Sequence, residues 1–189
     1  CSSDLLAPTP NTIAAGTKVA FQPGAYVPGV VIRKYFDAFT ANTITGLTND
    51  ARFPDQPTYG TLLPSLEYPQ DGSGEGGSNY GDQYITWFSP PSSGMYTFFV
   101  CGDDYAQLFL STDDSPVNKK LIAYENGWSA QRAWVTAGSG DPGSKRSDNY
   151  LDSQWPEGGT INLTKGNKYY LEVLHTEGGG GDNVGVTFV

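Results

Sequence analysis

MYTFFVCGDDYAQLFLSTD, residues 95–113, carries the reading that decides the fold. MYTFFVC and AQLFLST are rich in the aromatic and β-branched residues that favour strands. Asp103 and Asp104 stand side by side at the end of the first run. Side chains alternate along extended backbone, so adjacent carboxylates point to opposite faces unless the chain turns. Gathering two like charges in one partly buried spot costs energy unless a cation or a set of donors receives them. A hard divalent cation answers that need, because calcium takes roughly six to eight oxygen ligands from carboxylates, carbonyls and water.

Working outward, short β-like runs alternate with turns along the whole chain from Val30. GVVIRKYF, QYITWFS, KLIAYE, TINLT, KYYLEVLHT and NVGVTFV read as further strands, and SPPSSG, DDSPVN, WPEGG and TKGNK as breakers. Gly166-Asn167 predicts a tight hairpin. Helical turns are expected only around Thr43–Asp50 and Trp128–Trp134. The fold class is therefore all-β, a sandwich or barrel with long loops. Those loops are residues 68–82, 136–159 and 175–184; loops of that length in a compact domain are usually functional or disordered.

Two segments are expected: a domain over 29–189, preceded by an extended segment over 1–28 with four prolines in LLAPTPNTIAAGTKVAFQPGAYVPG. The readings of 1–28 are a linker, a leader strand on its own domain, or a strand donated to a neighbouring subunit's sheet edge, which would make a homo-oligomer or filament. Cys1-Ser2-Ser3 resembles the mature start of an acylated bacterial lipoprotein, and equally suits a processing boundary. A Cys1–Cys101 disulfide stays open as well. No apolar run reaches transmembrane length, so neither a spanning helix nor an intact signal peptide is expected.

Only 16% of the 189 residues are charged, yet the net charge is -9; aromatics make up 13%. An acidic surface argues against nucleic acid, whose phosphates need Lys and Arg. It tolerates calcium and neutral sugars, while both readings of Cys1 fit an exported or cell-surface protein.

HTEGGGGDN, residues 175–183, is by itself more often just a hairpin loop, but taken with Asp103 and Asp104 it is expected to supply the second half of a cation site. Gly178 to Gly181 bring bare carbonyls close to a ligand, and Glu177, Asp182 and Asn183 add side-chain oxygens. Neither phosphate-loop context nor EF-hand spacing is present. His175 is the single histidine and reads as a hydrogen-bonded structural residue rather than a base. No GxSxG, Cys/His pairing or cofactor motif appears, so no enzyme is expected. Trp128, Trp134 and Trp155 can stack on sugar rings, although filling a core is the commoner fate of such rings. Arg132 is expected to pair with a local acid or stack on a tryptophan. Asp113-Asp114 before Ser115-Pro116 reads as a surface turn, and Asn162-Leu163-Thr164 is a sequon.

From about Val30 to Val189 these segments, in this order, resemble the PA-fourteen domain, the β-sandwich of anthrax protective antigen. GVVIRKYFD with LTNDARFPDQP resembles its opening, SPPSSGMYTFFVCGDDYAQLFLSTD its central hairpin, and GNKYYLEVLHTEGGGGDNVGVTF its closing strands. The resemblance implies a calcium-dependent lectin or adhesin module in which an aspartate pair joined by a cis peptide binds calcium. That calcium contacts sugar hydroxyls. Carried onto this chain, the metal residues are Asp103, Asp104, Gly180, Asp182 and Asn183. Those expected at a glycan are Asp103, Asp104, Trp128, Glu177 and Asp182. The alternative it leaves is a structural subunit of a surface assembly, with calcium as a staple.

Overall fold

The computed structural model describes residues 29–70 and 77–189. The readings of residues 1–28, Cys1 included, lie outside the described residues, as does the 71–76 stretch of the first long loop.

The described elements are β1 (Val31–Phe36), α1 (Ile44–Asn49), β2 (Tyr59–Leu63), β3 (Glu67–Tyr68), β4 (Tyr80–Phe88) and β5 (Gly94–Tyr96). There follow β6 (Phe98–Asp103), β7 (Tyr105–Ser111), a 3-10 turn at Pro116–Asn118, β8 (Lys119–Glu125), β9 (Ile161–Leu163), β10 (Tyr169–Glu177) and β11 (Asn183–Phe188). All strand pairs are antiparallel. They form a six-stranded sheet ordered β2-β1-β4-β10-β7-β8, a three-stranded sheet β3-β11-β6 and a two-stranded sheet β5-β9. Among the described residues the large sheet keeps two edges, β2 and β8, so the sandwich is open and no barrel closes.

Alternation builds the core. Along β7, Ala106, Leu108 and Leu110 point inward to meet Phe98 and Val100 of β6, Val184 of β11 and Tyr84 of β4. A second cluster of Phe36, Phe39, Ile44, Leu47 and Leu174 includes the buried side chains of α1. β10 thus belongs to both clusters, through Val173 and Leu174, and all nine of its residues are buried. Thr43 caps α1, its side chain accepting from the Gly46 amide at 3.0 Å. Leu47 sits so close to β4 that a Cβ on Gly81 would lie 2.6 Å from its Cδ1.

Three sequence expectations are corrected. Residues 128–134 form turns rather than helix. The Ser129 amide is taken by Gly102 O at 2.7 Å, and Arg132, at φ 60, forks onto Glu67 at 2.6 and 2.8 Å. Gly166, at φ 93, does sit in a tight turn, with Asn167 N donating to Thr164 O. The strands it joins are not partners, because β9 pairs with β5 while β10 pairs with β4 and β7. The last long loop shrinks to residues 178–182, since Glu177 still pairs with Tyr80 and Asn183 with Asp103.

These pairings bring two sheet-to-sheet crossings to one end of the sandwich. At Asp103-Asp104 the chain leaves the three-stranded sheet for the six-stranded one. Through residues 178–182 it passes back from β10 to β11.

Candidate metal and ligand site

The Asp103–Asp104 peptide is cis. Carboxylate oxygens of Asp103, Asp104 and Glu177 lie within 4.8 Å of one another. Asp104 Oδ2 accepts from Asn42 Nδ2 at 2.7 Å and from the Gly178 amide at 3.0 Å. The glycine loop wraps this cluster closely. A Cβ on Gly181 would stand 2.6 Å from Asp103 Oδ2, and one on Gly178 would stand 2.4 Å from Asn42 Nδ2. Gly180 holds φ +116, a backbone shape that side-chain-bearing residues rarely adopt.

Behind the exposed edge lies a buried polar layer. An oxygen of Asp182 and one of Glu177 lie within 4.8 Å of each other and of a His175 ring nitrogen, and all three residues are buried. Tyr80 hydroxyl donates to Asp182 Oδ1. His175 Nε2 lies 3.0 Å from Asp103 O, as befits a structural histidine. Arg33 and Tyr84 both donate to Asp82 Oδ2 at 2.8 Å, and the guanidinium stacks 3.6 Å from the Tyr68 ring centroid.

Oδ2 of Asp182 and Oδ1 of Asn183 are buried without a hydrogen-bond partner, and both oxygens of Glu177 are buried with at most a weak contact from the Gly179 backbone. Such groups ordinarily find partners, so this many in one place suits a positive charge or donor set. Arg33 is already committed to Asp82. Asp103, Asp104 and Glu177 offer carboxylate oxygens alone, which suits a hard cation, while the buried group behind them adds one His175 nitrogen. The residues present fit calcium.

Electrostatics agree. Burial, then the charge of Asp104, pushes the Asp103 carboxyl up to about 6. Burial, then Asp104, Asp182 and Asp103, pushes Glu177 up to about 8. Burial also raises Asp182, against the Tyr80 hydroxyl bond. For Asp82, burial works upward as well, but Arg33 and His175 outweigh it and hold the carboxyl below its usual range.

Trp128 is 44% exposed and is bridged to Asp103 on one side and Ser139 on the other. The other expected aromatics lie elsewhere: Trp155 in the core, and Trp134 against Gly185. Asn183 faces Asp103 in register, and its amide donates to Ser129 O at 2.9 Å. Cys101 is a free thiol, buried, with burial raising it to about 11. The site also contains Asn42, Tyr80 and Asp82, which the sequence reading does not single out. Tyr80, Asp82 and Tyr84 alternate along one face of β4, and this period-2 signal begins upstream of the QYITWFS run.

An open β-sandwich with an acidic, oxygen-only loop cluster at one end is the class of protein that fold and site define. The sequence matches the PA14 domain over residues 28–188, and the chain belongs to that family. It is 28% identical over 100 residues to human (Homo sapiens) fibrocystin-L, covering 51% of this chain and 2% of that protein. This chain thus spans about 2% of the length of that curated relative. Among solved structures it is similar to a β-glucosidase from Kluyveromyces marxianus in complex with glucose, at 14% identity and TM-score 0.46. That match covers 83% of this chain and 15% of the other. It is also similar to the epithelial adhesin 6 A domain from Candida glabrata in complex with Galb1-3GlcNAc, at 12% identity and TM-score 0.43. There 88% of this chain and 82% of the other are covered. No helix among the described residues is long and apolar enough to cross a membrane.

Proposed function

We propose that this chain is a calcium-dependent carbohydrate-binding module, of lectin or adhesin type, in an exported or cell-surface protein. The observation that carries the reading is the group of buried, poorly partnered oxygens on Glu177, Asp182 and Asn183 beside Asp103 and Asp104. Membership of the PA14 family supports it.

Asp103, Asp104 and Glu177, with the loop through Gly180, Asp182 and Asn183, would hold calcium, which supplies open coordination positions for a vicinal diol. Asp103 is only partly buried, so its carboxylate can also accept a sugar hydroxyl. Glu177 and Asp182, expected above at the glycan, are buried; we assign them to the ion rather than the sugar. Trp128 offers an aromatic face to the apolar side of a sugar ring. A shallow site of this kind binds single sugars weakly, and multiple copies raise avidity. A glycan array read with calcium and with a chelator tests the reading: binding is expected in calcium only, and full binding in chelator contradicts it.

The burial of Glu177 and Asp182 favours a second, compatible role, in which the same ion staples the two sheet crossings together. It has a pH signature. Asp103 and Glu177 have folded-state pKa values above those of the unfolded chain, at about 6 and about 8. The native chain therefore holds extra protons from about pH 4 upward to those values. In chelator their stabilising contribution is full below about pH 4 and is lost as pH rises through about 6 and about 8. Calcium must displace those protons, so its affinity rises over the same window. Melting curves across pH check both trends: the calcium-induced rise in Tm is expected to grow toward about pH 8.

A further inference from the structure

The loop after β8 is held by a buried ion pair that neither the metal site nor the core explains. Glu125 and Lys145 are both 0% exposed, with Lys145 Nζ 3.0 Å from Glu125 Oε2. The ammonium also donates to Ala133 O at 2.5 Å and Thr136 O at 2.6 Å, which satisfies its three N–H groups. Glu125 Oε2 in turn accepts from Ser129 Oγ at 2.7 Å. One cation therefore ties together the end of β8 and two points of the following loop, and it comes from the 136–159 segment.

At the centre of those ties stands Trp128. Its carbonyl accepts from Gly138 N at 2.8 Å and Ser139 N at 3.1 Å, and Ser129 N anchors the next residue to Gly102 O at 2.7 Å. The indole lies directly on Gly138: a Cβ there would be 2.3 Å from Cη2 and Cζ3 of the ring. An aromatic residue 44% exposed is thus fixed beside Asp103 by backbone on both sides. Burying a charge pair is a costly way to hold a loop, and in some proteins its return is one defined geometry.

We propose that Lys145 and Gly138 are positioning residues that hold Trp128 as a preformed stacking platform, so that the platform rather than the metal decides which sugar faces are accepted. The selectivity half rests on the carbohydrate reading above; the rigidity of Trp128 does not. Preorganisation spares the ligand the entropy of ordering that ring.

The test uses the full chain labelled with 5-fluorotryptophan, the Trp128 fluorine resonance being assigned by its loss in Trp128→Phe. Lys145→Met and Gly138→Ala are compared with wild type. A Glu125→Gln/Lys145→Met double variant removes both charges, in case the single change leaves a lone buried carboxylate that prevents folding. Expected are one sharp Trp128 line in wild type and a broadened or split line in the variants. The calcium-induced rise in Tm is retained, and glycan-array signal in calcium drops about tenfold or is re-ranked among sugars. An unchanged fluorine line in the variants overturns the proposal. So does joint loss of the calcium effect and the array signal, because the pair would then hold the metal site itself. If wild type binds no glycan, the carbohydrate reading and the selectivity half both fail, while the fluorine line still decides whether the platform is held.

Discussion

Asp104→Asn is expected to abolish the calcium-induced rise in Tm while leaving the melting curve in chelator nearly unchanged. Asn42 Nδ2 and the Gly178 amide both donate to Asp104 Oδ2, so an amide oxygen of the same shape keeps these two bonds. What disappears is one negative charge in an acidic cluster, where burial first and the charge of Asp104 second raise the Asp103 carboxyl. Calcium at about a hundred times its Kd stabilises a protein by about 2.7 kcal/mol. For a domain of this size that is a rise of roughly 5–10 °C. Differential scanning fluorimetry with calcium and with chelator reads the effect, and a full calcium shift in Asp104→Asn would exclude this residue from the metal site.

Arg33→Met should have the largest effect on the metal-free fold. Arg33 and Asp82 are almost wholly buried, and once the guanidinium is gone Asp82 keeps the Tyr84 hydroxyl and, 3.8 Å away, His175 Nδ1, neither of which replaces a fixed positive charge. Breaking a buried pair from one side costs about 3–5 kcal/mol, because the surviving charge is stranded. Tm should therefore fall by roughly 10 °C. Adding Asp82→Asn should recover part of the loss. A fall of only about 2 °C would mean that Asp82 is reached by water or takes up a proton at little cost.

How much of this was legible in the chain follows from where each signal lives. Strand content and the broken run at 95–113 are local, and local alternation carries them. The Asp103-Asp104 anomaly was visible because two like charges in sequence need no fold to be noticed. Which strands pair was not legible. Gly166-Asn167 makes a local turn whether its strands share a sheet or not, and the choice is made by long-range partners such as Met95 opposite Asn162. Asn42 was invisible for the same reason: it stands 62 residues before Asp104, and only the crossing of the sheets brings it there. In the sequence Lys145 is one charge in a polar loop, with nothing local to single it out. Its role depends on acceptors at Glu125, Ala133 and Thr136 that only the folded loop gathers.

The most direct measurement is a crystal structure of the chain grown in calcium, with anomalous differences collected at a wavelength where calcium scatters. The account predicts a peak bounded by the carboxylates of Asp103, Asp104 and Glu177 and by the Gly178–Asn183 loop, with a sugar hydroxyl joining it when an array hit is soaked in. A structure in saturating calcium with no peak there, and with Glu177 and Asp182 satisfied by protons or water instead, would contradict it.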